Sequence, residues 1–408
     1  MPVYKKPIDD PPCVKACPAG INVPRYVQYI SWGKFDEAYA VIREKIPFPS
    51  VCGRVCFAPC EKHCRLNEEN DPVAIKMLKR FVSERGKEAK FKTIPANKNT
   101  GKKIAIVGSG PAGLTAAYYL AILGHKVVVF EKLQQPGGMM RIGIPESRLP
   151  REILDREIEG IKAAGVEIKT GNRINLLDDF LKDGFDALFL AVGSHKTAKR
   201  MGIANRENPP NYGINLDAEG NLEVSPQTLA TTKKGAFAGG DAVTGQKSVI
   251  EAIAAGRKAA ISIDKFLGGV GIIEETLVYQ EGLLMAPVQG IQNAGKLVGL
   301  PVEQQYPADK KNGYDEQTAI KEAKRCLGCD SPIVAEPENC VGCLLCAMRC
   351  SFREGGVNPY LGKIKIERTG KSRFDRRISF EKECDDCHLC VNICPYGALS
   401  VNRTMEGR

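Results

Sequence analysis

The sequence has no long apolar run, only one tryptophan and only four histidines. No apolar stretch reaches the roughly 18 residues that a membrane span needs, so we expect no span. The first twelve residues hold lysines, aspartates and four prolines but no apolar core. We therefore expect no secretory signal and a cytoplasmic location. Neither a Ser–His–Asp triad nor a paired-carboxylate site can be argued, so the chemistry is expected to reside in bound cofactors.

Size and charge narrow the class of protein further. A chain of 408 residues predicts two or three domains, and 43% hydrophobic with 26% charged residues is globular composition. The net charge of +10 is modest for this length. A solvated basic surface is the simplest interpretation, and docking of an acidic electron-transfer partner is the alternative. Basic stretches interleaved with aromatic residues are missing, so no nucleic-acid partner is expected.

The sixteen cysteines fall into two dense groups. Six lie from Cys13 to Cys64, ten lie from Cys326 to Cys394, and none occurs in the 261 residues between them (326 − 64 − 1). A reducing cytosol keeps thiols free, which disfavours a disulfide framework. Cysteines that only fill a core would be scattered along the chain. The two groups therefore predict metal sites on either side of a separate central domain.

That central domain begins with a pattern typical of dinucleotide binding. Residues 103–107 form an apolar strand pattern, and the motif G-S-G-P-A-G follows at 108–113. A helical pattern then runs over 114–123, and a second strand pattern at 127–130 ends at Glu131, 23 residues after Gly108. A glycine motif alone is a weak signal. The order of strand, glycines, helix, strand and acid is a strong one.

Each residue type in this motif has a physical role in holding a dinucleotide. Gly108 makes the tight turn, Gly110 lets the backbone approach a pyrophosphate, and Gly113 lets the helix pack closely. The helix N-terminus presents N–H groups to the phosphates, and Glu131 accepts hydrogen bonds from ribose hydroxyls. The first βα unit is thus predicted to bind a dinucleotide.

A second motif decides which dinucleotide is expected. The segment G-A-F-A-G-G-D at 235–241 precedes a helical pattern over 248–266 and resembles the second FAD motif of flavoproteins with two dinucleotide domains. The segments 136–145 and 148–150 narrow the resemblance to the glutamate synthase small subunit, the bifurcating ferredoxin:NADP transhydrogenase large subunit and dihydropyrimidine dehydrogenase. This resemblance covers about residues 10–268. The FAD contacts that it implies are Ser109, Ala112, Gly113, Glu131, Gly138, Arg148, Ile174, Asp241, Ser248 and Val249.

The sequence departs from this family between the two FAD motifs. The family inserts a complete Rossmann domain for NAD(P)H there, whereas this chain has 43 residues (194–236), with a Pro/Asn-rich hinge at 205–211. A βαβ unit alone takes about 30 residues, and a nucleotide-binding half needs more. The sequence therefore predicts that the nicotinamide domain is absent and that electrons enter or leave through metal centres.

The C-terminal cysteines form two C-x2-C-x2-C-x3-C runs, which begin at Cys340 and Cys384. This doubled run is the pattern of two-cluster bacterial ferredoxins, in which the fourth cysteine of each run binds the other run's cluster. Zinc ribbons are the alternative, and they suit this spacing poorly. The predicted ligands are Cys340, Cys343, Cys346 and Cys394 for one [4Fe–4S] cluster, and Cys350, Cys384, Cys387 and Cys390 for the other. The segment 350–359 resembles ferredoxin-like subunits that serve tungsten aldehyde oxidoreductases and carbon monoxide dehydrogenases.

The N-terminal cysteines resemble the two-cluster domain of the glutamate synthase and dihydropyrimidine dehydrogenase family. In that family a C-x2-C pair stands just upstream of the first C-x3-C-P, and here the matching pair, Cys326 and Cys329, lies near the other end of the chain. We infer that this segment folds back. The ligands that the resemblance then implies are Cys13, Cys64, Cys326 and Cys329.

The second N-terminal cluster lacks one ligand of the family. Relatives supply a Gln or Glu from the helix after the last cysteine, and the matching residue here is Lys79, which is not an ordinary ligand. Cys52 is the candidate to join Cys17, Cys56 and Cys60, and this assignment uses all sixteen cysteines in four clusters. The alternative is that Cys52 is a buried bystander. We expect His125 to lie at the surface. His388 is expected beside cluster ligands or at the surface, without binding iron itself.

The sequence thus predicts an α/β protein of three domains and one connecting segment. These are a helical iron–sulfur domain (1–90), a Rossmann-like FAD domain (100–268), a wrapping linker (269–325) and a bacterial-ferredoxin-like α+β domain (326–408). With FAD and four [4Fe–4S] clusters, the expected function is an electron-transfer subunit between a catalytic oxidoreductase and a carrier such as ferredoxin. A tungsten aldehyde oxidoreductase is the favoured catalytic partner, and carbon monoxide dehydrogenase, hydrogenase or benzoyl-CoA reductase systems are alternatives. A self-contained NAD(P)H-dependent oxidoreductase and a redox sensor are the rival functions.

Overall fold

The structure is a computed structural model of the 408-residue chain. It describes residues 3–5, 10–69, 71–85, 99–174, 184–194, 213–273, 313–329, 333–353, 355–370, 376–384 and 387–401. The predicted hinge at 205–211 and most of the wrapping linker (274–312) lie outside these residues. Within the described part, every helix is too short or too polar to cross a membrane.

The N-terminal part is a group of packed helices. They are α1 (Pro12–Lys15), α2 (Val23–Ser31), α3 (Phe35–Lys45), α4 (Pro49–Val55), α5 (Pro59–Lys62), a 3₁₀ turn (Arg65–Glu69) and α6 (Ile75–Arg85). Prolines open α1, α4 and α5 and stand second in α2, where a missing N–H costs no helical hydrogen bond. The Asn22 side chain caps α2 by accepting from the Arg25 N–H at 3.0 Å. Short helices of this kind bring several cysteine-bearing loops into one small volume.

The central part is a parallel α/β sheet. Its strands are β2 (Lys103–Val107), β3 (Lys126–Phe130), β4 (Glu167–Lys169), β5 (Ala187–Leu190) and β6 (Ala236–Ala238), and its helices are α7 (Pro111–Ile122), α8 (Met139–Ile142), α9 (Arg151–Ala163), α10 (Asp241–Thr244) and α11 (Val249–Phe266). The strand order is β4-β3-β2-β5-β6, with all pairs parallel. The central strands are apolar on both faces because both are covered: α7, α9 and α11 pack on one face, and the segment around Ile214 and Leu222 packs on the other.

The C-terminal part contains two small antiparallel sheets. Its elements are α12 (Glu316–Ala323), β7 (Ile333–Ala335), α13 (Leu345–Arg353), β8 (Ile364–Arg368), β9 (Arg376–Phe380), α14 (Leu389–Ile393) and β10 (Leu399–Val401), with 3₁₀ turns at Pro337–Asn339 and Pro359–Leu361. The strand β1 (Val3–Lys5) pairs with β7, which also pairs with β10. The start of the chain therefore completes a sheet of the C-terminal domain.

One hydrophobic core joins the N-terminal helices to the Rossmann domain, and a separate core fills the C-terminal domain. Two later segments also contribute to the first core: Ala319 and Ala323 of α12, and Cys387 and Leu389 of the second ferredoxin-like run. The three parts are thus connected by packed contacts as well as by the chain.

Candidate dinucleotide and iron–sulfur sites

The residues predicted to hold FAD lie past the carboxyl ends of the parallel strands. Ser109 follows β2, Glu131 follows β3, Ile174 follows β4 and Asp241 follows β6. In open parallel sheets this edge is where ligands bind. Sequence positions up to 132 residues apart (241 − 109) therefore meet at one edge of the sheet.

Glycines shape the floor of this site. A Cβ at Gly113 would collide with the carbonyl oxygen of Gly108, and a Cβ at Gly138, where φ is +49°, would lie 2.7 Å from the Cα of Gly110. Gly110 itself faces open space. The loop is therefore packed tightly behind and open in front, and a side chain at Gly110 would occupy the place where a pyrophosphate would approach. The residues fit a dinucleotide.

Glu131 is a buried carboxylate with acceptor capacity to spare. One oxygen accepts from the Ser109 N–H at 2.9 Å and from the Ser109 hydroxyl, and the other accepts from the Leu133 N–H at 2.9 Å. A carboxylate offers about four acceptor positions, so one is left for a ribose hydroxyl. The three existing bonds fix the carboxylate beside the glycine loop.

The second half of the site is the start of α11. Ser248 caps this helix, and its hydroxyl accepts from the Glu251 N–H at 3.3 Å while Glu251 reaches back to the Ser248 N–H at 2.9 Å. Val249 packs against the main core, and α11 lies along α7. Burial raises the pKa of Asp241, and a hydrogen bond from the Lys247 N–H opposes that shift. We therefore expect the N-termini of α7 and α11 to face the same dinucleotide.

Arg148 connects the dinucleotide site with the N-terminal helices. Its guanidinium donates to the carbonyl oxygen of Val55 at 3.3 Å, and Val55 directly precedes Cys56. The residue thus lies between the Rossmann domain and a cysteine loop.

Each cysteine set predicted for the ferredoxin-like domain lines one cavity. The first cavity is lined by Cys340, Cys343, Cys346 and Cys394 together with apolar residues that include Val341, Leu345 and Tyr396. The second is lined by Cys350, Cys384, Cys387 and Cys390, with His388 and Leu389 among its other residues. The crossed membership of Cys394 and Cys350 is the arrangement expected of two-cluster ferredoxins.

Backbone N–H groups donate hydrogen bonds to cysteine sulfurs in both cysteine-rich parts. The Lys363 N–H donates to Cys350 Sγ at 3.1 Å, and the Ala58 N–H of the N-terminal part donates to Cys56 Sγ at 3.4 Å. Burial raises the pKa of Cys346 to about 12, and a hydrogen bond from the Ala347 N–H opposes the shift. Such bonds to sulfur are among the factors that set cluster potentials.

The first N-terminal cysteine group, Cys13, Cys64, Cys326 and Cys329, contains residues from two distant parts of the chain. Burial raises the pKa of the Cys13 thiol, and the nearby thiols of Cys326, Cys329, Cys64 and Cys60 raise it further. The fold-back is therefore present in the structure.

Other contacts hold the returning segment in place. The Ala74 N–H donates to the Glu322 carboxylate at 2.8 Å, and Arg325 donates to the Asp71 carbonyl at 2.7 Å while pairing with its carboxylate at 2.5 Å. These bonds join residues 248 and 254 positions apart in sequence.

The second N-terminal group surrounds a buried lysine. Lys79 is only 3% exposed, and the thiols that act on its charge are those of Cys60, Cys52, Cys56 and Cys17. Cys52 is fully buried among them. The sequence identified Lys79 only as a residue unable to be a ligand and missed its position beside four thiols.

All sixteen cysteines are unbridged thiols. Among the described residues, no group of three or more His, Cys, Asp or Glu side chains is arranged to hold a metal ion. The ligands of one ion converge on a point, whereas a [4Fe–4S] cluster occupies the space between its cysteines. The cysteines line shared cavities or lie near enough to raise one another's pKa, as the ligands of a cluster would. These thiolate-rich sets therefore fit iron–sulfur clusters.

His125 is not at the surface, and that prediction was wrong. It is 6% exposed, with Nδ1 2.7 Å from the Thr100 hydroxyl and Nε2 2.9 Å from the Asp264 carboxylate. The glycine that ends α7 turns the chain inward against α11, which periodicity does not reveal. His388 is also buried, and its partner is the carbonyl of Leu327.

Together, the fold and these sites define an α/β protein that combines iron–sulfur domains with a Rossmann-like dinucleotide domain. Residues 8–91 match the family described as dihydropyrimidine dehydrogenase domain II, 4Fe-4S cluster. Residues 106–158 match the NAD(P)-binding Rossmann-like domain, and residues 380–400 match the 4Fe-4S binding domain. These matches support bound iron–sulfur clusters and a flavin-type dinucleotide.

Three curated relatives are oxidoreductase subunits. The chain is 41% identical over 226 residues to the NADP(+)-dependent formate dehydrogenase subunit beta of Moorella thermoacetica, which covers 50% of this chain and 32% of the relative. It is 43% identical over 203 residues (48% and 30%) to the NADPH-Fe(3+) oxidoreductase subunit beta of Geobacter sulfurreducens. It is 34% identical over 231 residues (55% and 46%) to the glutamate synthase [NADPH] small chain of Escherichia coli. The chain thus spans a third to a half of the relatives that it matches.

Proposed function

We propose that the chain is an electron-transfer oxidoreductase subunit that carries FAD and four [4Fe–4S] clusters. It would exchange electrons between a catalytic oxidoreductase and a one-electron carrier such as ferredoxin. A flavin supplies two-electron chemistry and the clusters supply one-electron transfer. The observation that supports this most directly is the grouping of the sixteen cysteines, which lie on either side of one dinucleotide-binding domain in sequence and are brought together in space as sets of neighbouring thiols.

The proposed FAD contacts are the ten residues at the carboxyl edge and at the start of α11. Gly113 and Gly138 allow the loop to pack tightly, Gly110 keeps its front open, and Glu131 would accept from the ribose. Arg148 reaches from this site to the Cys56 loop, so it would lie between a bound flavin and the second N-terminal group of thiols. The assignment of FAD rather than NAD(P) rests on the second motif, which ends at Asp241.

The proposed ligand sets are those predicted from the sequence. The N-terminal sets are Cys13, Cys64, Cys326 and Cys329, and Cys17, Cys52, Cys56 and Cys60. The C-terminal sets are Cys340, Cys343, Cys346 and Cys394, and Cys350, Cys384, Cys387 and Cys390. Their support is the grouping of the pKa effects and the lining of the two cavities.

The cofactor load tests the proposal. Anaerobically purified protein is expected to hold about sixteen iron and sixteen sulfide per FAD. An iron content of about twelve per FAD that Cys52→Ala leaves unchanged would show that Cys17, Cys52, Cys56 and Cys60 hold no cluster. Zinc in place of iron would refute the proposal.

The proposed route of electron flow rests on the prediction that the chain lacks a nicotinamide domain. Strands β5 and β6 pair directly, Leu188 with Ala236, and the described part of their connection (191–194 and 213–235) contains no helix or extended strand. We expect dithionite or reduced ferredoxin, and not NADPH or NADH, to bleach the flavin of the isolated chain. The names of the relatives favour a second candidate, an NADPH-dependent reaction, and rapid stoichiometric bleaching by NADPH would establish it.

The catalytic partner is proposed to be a tungsten aldehyde oxidoreductase, from the resemblance of the segment 350–359. The name of the Moorella relative favours a formate dehydrogenase instead. Anaerobic co-purification from the native host, with metal analysis of the captured subunit, separates the two. Molybdenum or tungsten with aldehyde oxidation supports the first, and formate oxidation supports the second.

A further inference from the structure

The two cysteine loops of the C-terminal domain are equivalent positions of an internal repeat. Leu344 and His388 each follow the second cysteine of their run, and both have φ 61°. A helix follows each of them, α13 in the first loop and α14 in the second. The two loops share this turn, and they differ in what packs against them.

Their exposure differs strongly. In the first loop, Cys343 is exposed and Leu345 is 43% exposed. The equivalent residues of the second loop, Cys387 and Leu389, are 8% and 2% exposed and belong to the main core. The ferredoxin-like domain is therefore docked by its second loop.

His388 forms the docking contact. It is 1% exposed, and its Nδ1 lies 3.0 Å from the carbonyl oxygen of Leu327. A carbonyl oxygen only accepts, so Nδ1 carries the proton and donates. Leu327 lies between Cys326 and Cys329, so the second loop meets the returning cysteine pair. At the equivalent position of the first loop the residue is Leu344, which has no such role.

We propose that the chain exchanges electrons with an external, acidic one-electron protein at its first loop, residues 341–345. This inference rests on the proposed function, because it needs a cluster between Cys340, Cys343, Cys346 and Cys394. In each exchange that cluster loses one electron and the partner's metal centre gains it, or the reverse, and no bond is made or broken. The second loop is closed to such a partner by the N-terminal domain.

The first loop has the surface that such a partner needs. Val341, Leu345 and Tyr396 are 38%, 43% and 52% exposed around the exposed Cys343. Their apolar rim excludes water from a short-lived contact, and redox encounters use small interfaces. The first half of α13 carries Arg349 and no acid, and the Arg376 guanidinium lies against Gly342, where its Nε would be 2.6 Å from an added Cβ. These positive charges favour an acidic partner.

Paired charge variants of the full chain test this surface. Leu345→Glu places an acid on the rim, and Val357→Glu places one at a more exposed site (74%) beyond the far end of α13. The probe is an acidic two-cluster ferredoxin, with its binding measured by calorimetry and electron exchange measured by stopped flow. We expect Leu345→Glu to weaken binding and slow exchange by on the order of tenfold. Val357→Glu should match the wild type.

A spectroscopic measurement tests exposure without any partner. A soluble dysprosium chelate shortens the electron-spin relaxation of clusters near the surface. We expect it to act more strongly on the cluster of the first cavity than on that of the second. His388→Leu, which gives the second loop the residue of the first, should change only the second cluster's spectrum and so identify it. Leu344→His is the matched variant of the first loop.

Equal relaxation of the two clusters, or wild-type binding and exchange by Leu345→Glu, would overturn the proposed surface. Iron and spin quantitation on the same samples separate this from failure of the proposed function. About eight iron in the C-terminal domain, with no loss in Leu345→Glu, leaves the proposed function standing and the surface refuted. Fewer than eight iron there in the wild type refutes the proposed function itself.

Discussion

Lys79 is a cation enclosed among thiols. Burial by itself lowers its pKa, but the thiols of Cys60, Cys52, Cys56 and Cys17 raise it above the usual value. Helices α4 and α6 approach closely at this point: a Cβ at Gly53 would lie 2.7 Å from the Cα of Arg80. This approach places Lys79 of α6 beside the cysteines. A cluster with four thiolates is anionic, so a buried ammonium beside it stabilises its more reduced, more negative state.

We therefore expect Lys79→Met to lower the midpoint potential of one N-terminal cluster. Loss of a buried charge at this range is worth on the order of 1–3 kcal/mol, or roughly 40–130 mV for a one-electron couple. A redox titration followed by electron paramagnetic resonance measures the shift. Lys76→Met, one turn earlier on α6, is the control and should leave all potentials unchanged. An unchanged potential in Lys79→Met would contradict the placement of this cluster.

The buried His125 belongs to a chain of polar contacts that ends at Asp264. The Asp264 carboxylate accepts from His125 and, at 2.7 Å, from the Gly271 N–H, whereas the Gly269 N–H bonds to the backbone carbonyl of Asp264 at 2.8 Å. We expect Asp264→Ala to speed hydrogen exchange at Gly271 much more than at Gly269. Exchange measured by mass spectrometry or NMR checks this, and equal acceleration at both amides would show general unfolding instead.

At the scale of elements, Glu157 of α9 caps α4 across the domain boundary. Its carboxylate accepts from the Ser50 N–H at 2.6 Å and from the Val51 N–H at 3.1 Å. Burial raises the pKa of Glu157, and these two hydrogen bonds oppose the rise. α4 has no cap from its own preceding residue, so the neighbouring domain supplies one.

Glu157→Ala is expected to destabilise the protein by about 2–4 kcal/mol, because two buried N–H groups lose their acceptor. Glu157→Gln keeps one acceptor and removes the cost of burying a charge, so its effect should be smaller. Denaturant unfolding followed by flavin fluorescence measures both. Glu159→Ala, two positions along the same helix and exposed, is the control, and a comparable loss there would refute the capping role.

How far the sequence predicts these elements depends on whether their causes are local. The strand pattern at 103–107, the helix after Gly110 and the strand that ends before Glu131 all appear where predicted, because periodicity and glycine spacing are local signals. The burial of His125, the cap from Glu157 and the contact of His388 with Leu327 were not predicted. Each depends on a partner at least 61 residues away, and nothing in a single sequence marks such pairs.

The pairing of β1 with β7 is the clearest example of a non-local element. Three residues near the start of the chain have no distinctive pattern, and their strand exists only because the C-terminal sheet offers an edge. The fold-back of Cys326 and Cys329 is just as distant in sequence, yet it was predicted. The difference is that the cysteine pair resembles a family motif whose place is beside the first N-terminal cysteines, whereas a short edge strand offers no such resemblance.

At the scale of the whole molecule, the returning segment 313–329 joins the N-terminal helices to the ferredoxin-like domain. Its helix α12 packs into the N-terminal core, Arg325 pairs with Asp71, and Leu327 accepts from His388 of the ferredoxin-like domain. A cluster shared between Cys13 and the Cys326–Cys329 pair would add to these contacts. Binding a metal centre that exists only in the folded state stabilises that state.

The double variant Cys326→Ser and Cys329→Ser tests this coupling. We expect the iron content to fall by about four, with both ferredoxin-type signals retained. Limited proteolysis should become faster around α1 and α12, although the Arg325 and Glu322 contacts should prevent complete release. Cys340→Ser with Cys343→Ser is the matched control, because it also removes one cluster but one that lies in the exposed first loop. If cluster ligation joins the domains, only the first pair loosens the N-terminal helices. An unchanged iron content in the first pair would show that Cys326 and Cys329 are not ligands. If iron falls but the two pairs have the same effect on proteolysis, the segment is held by its polar contacts alone.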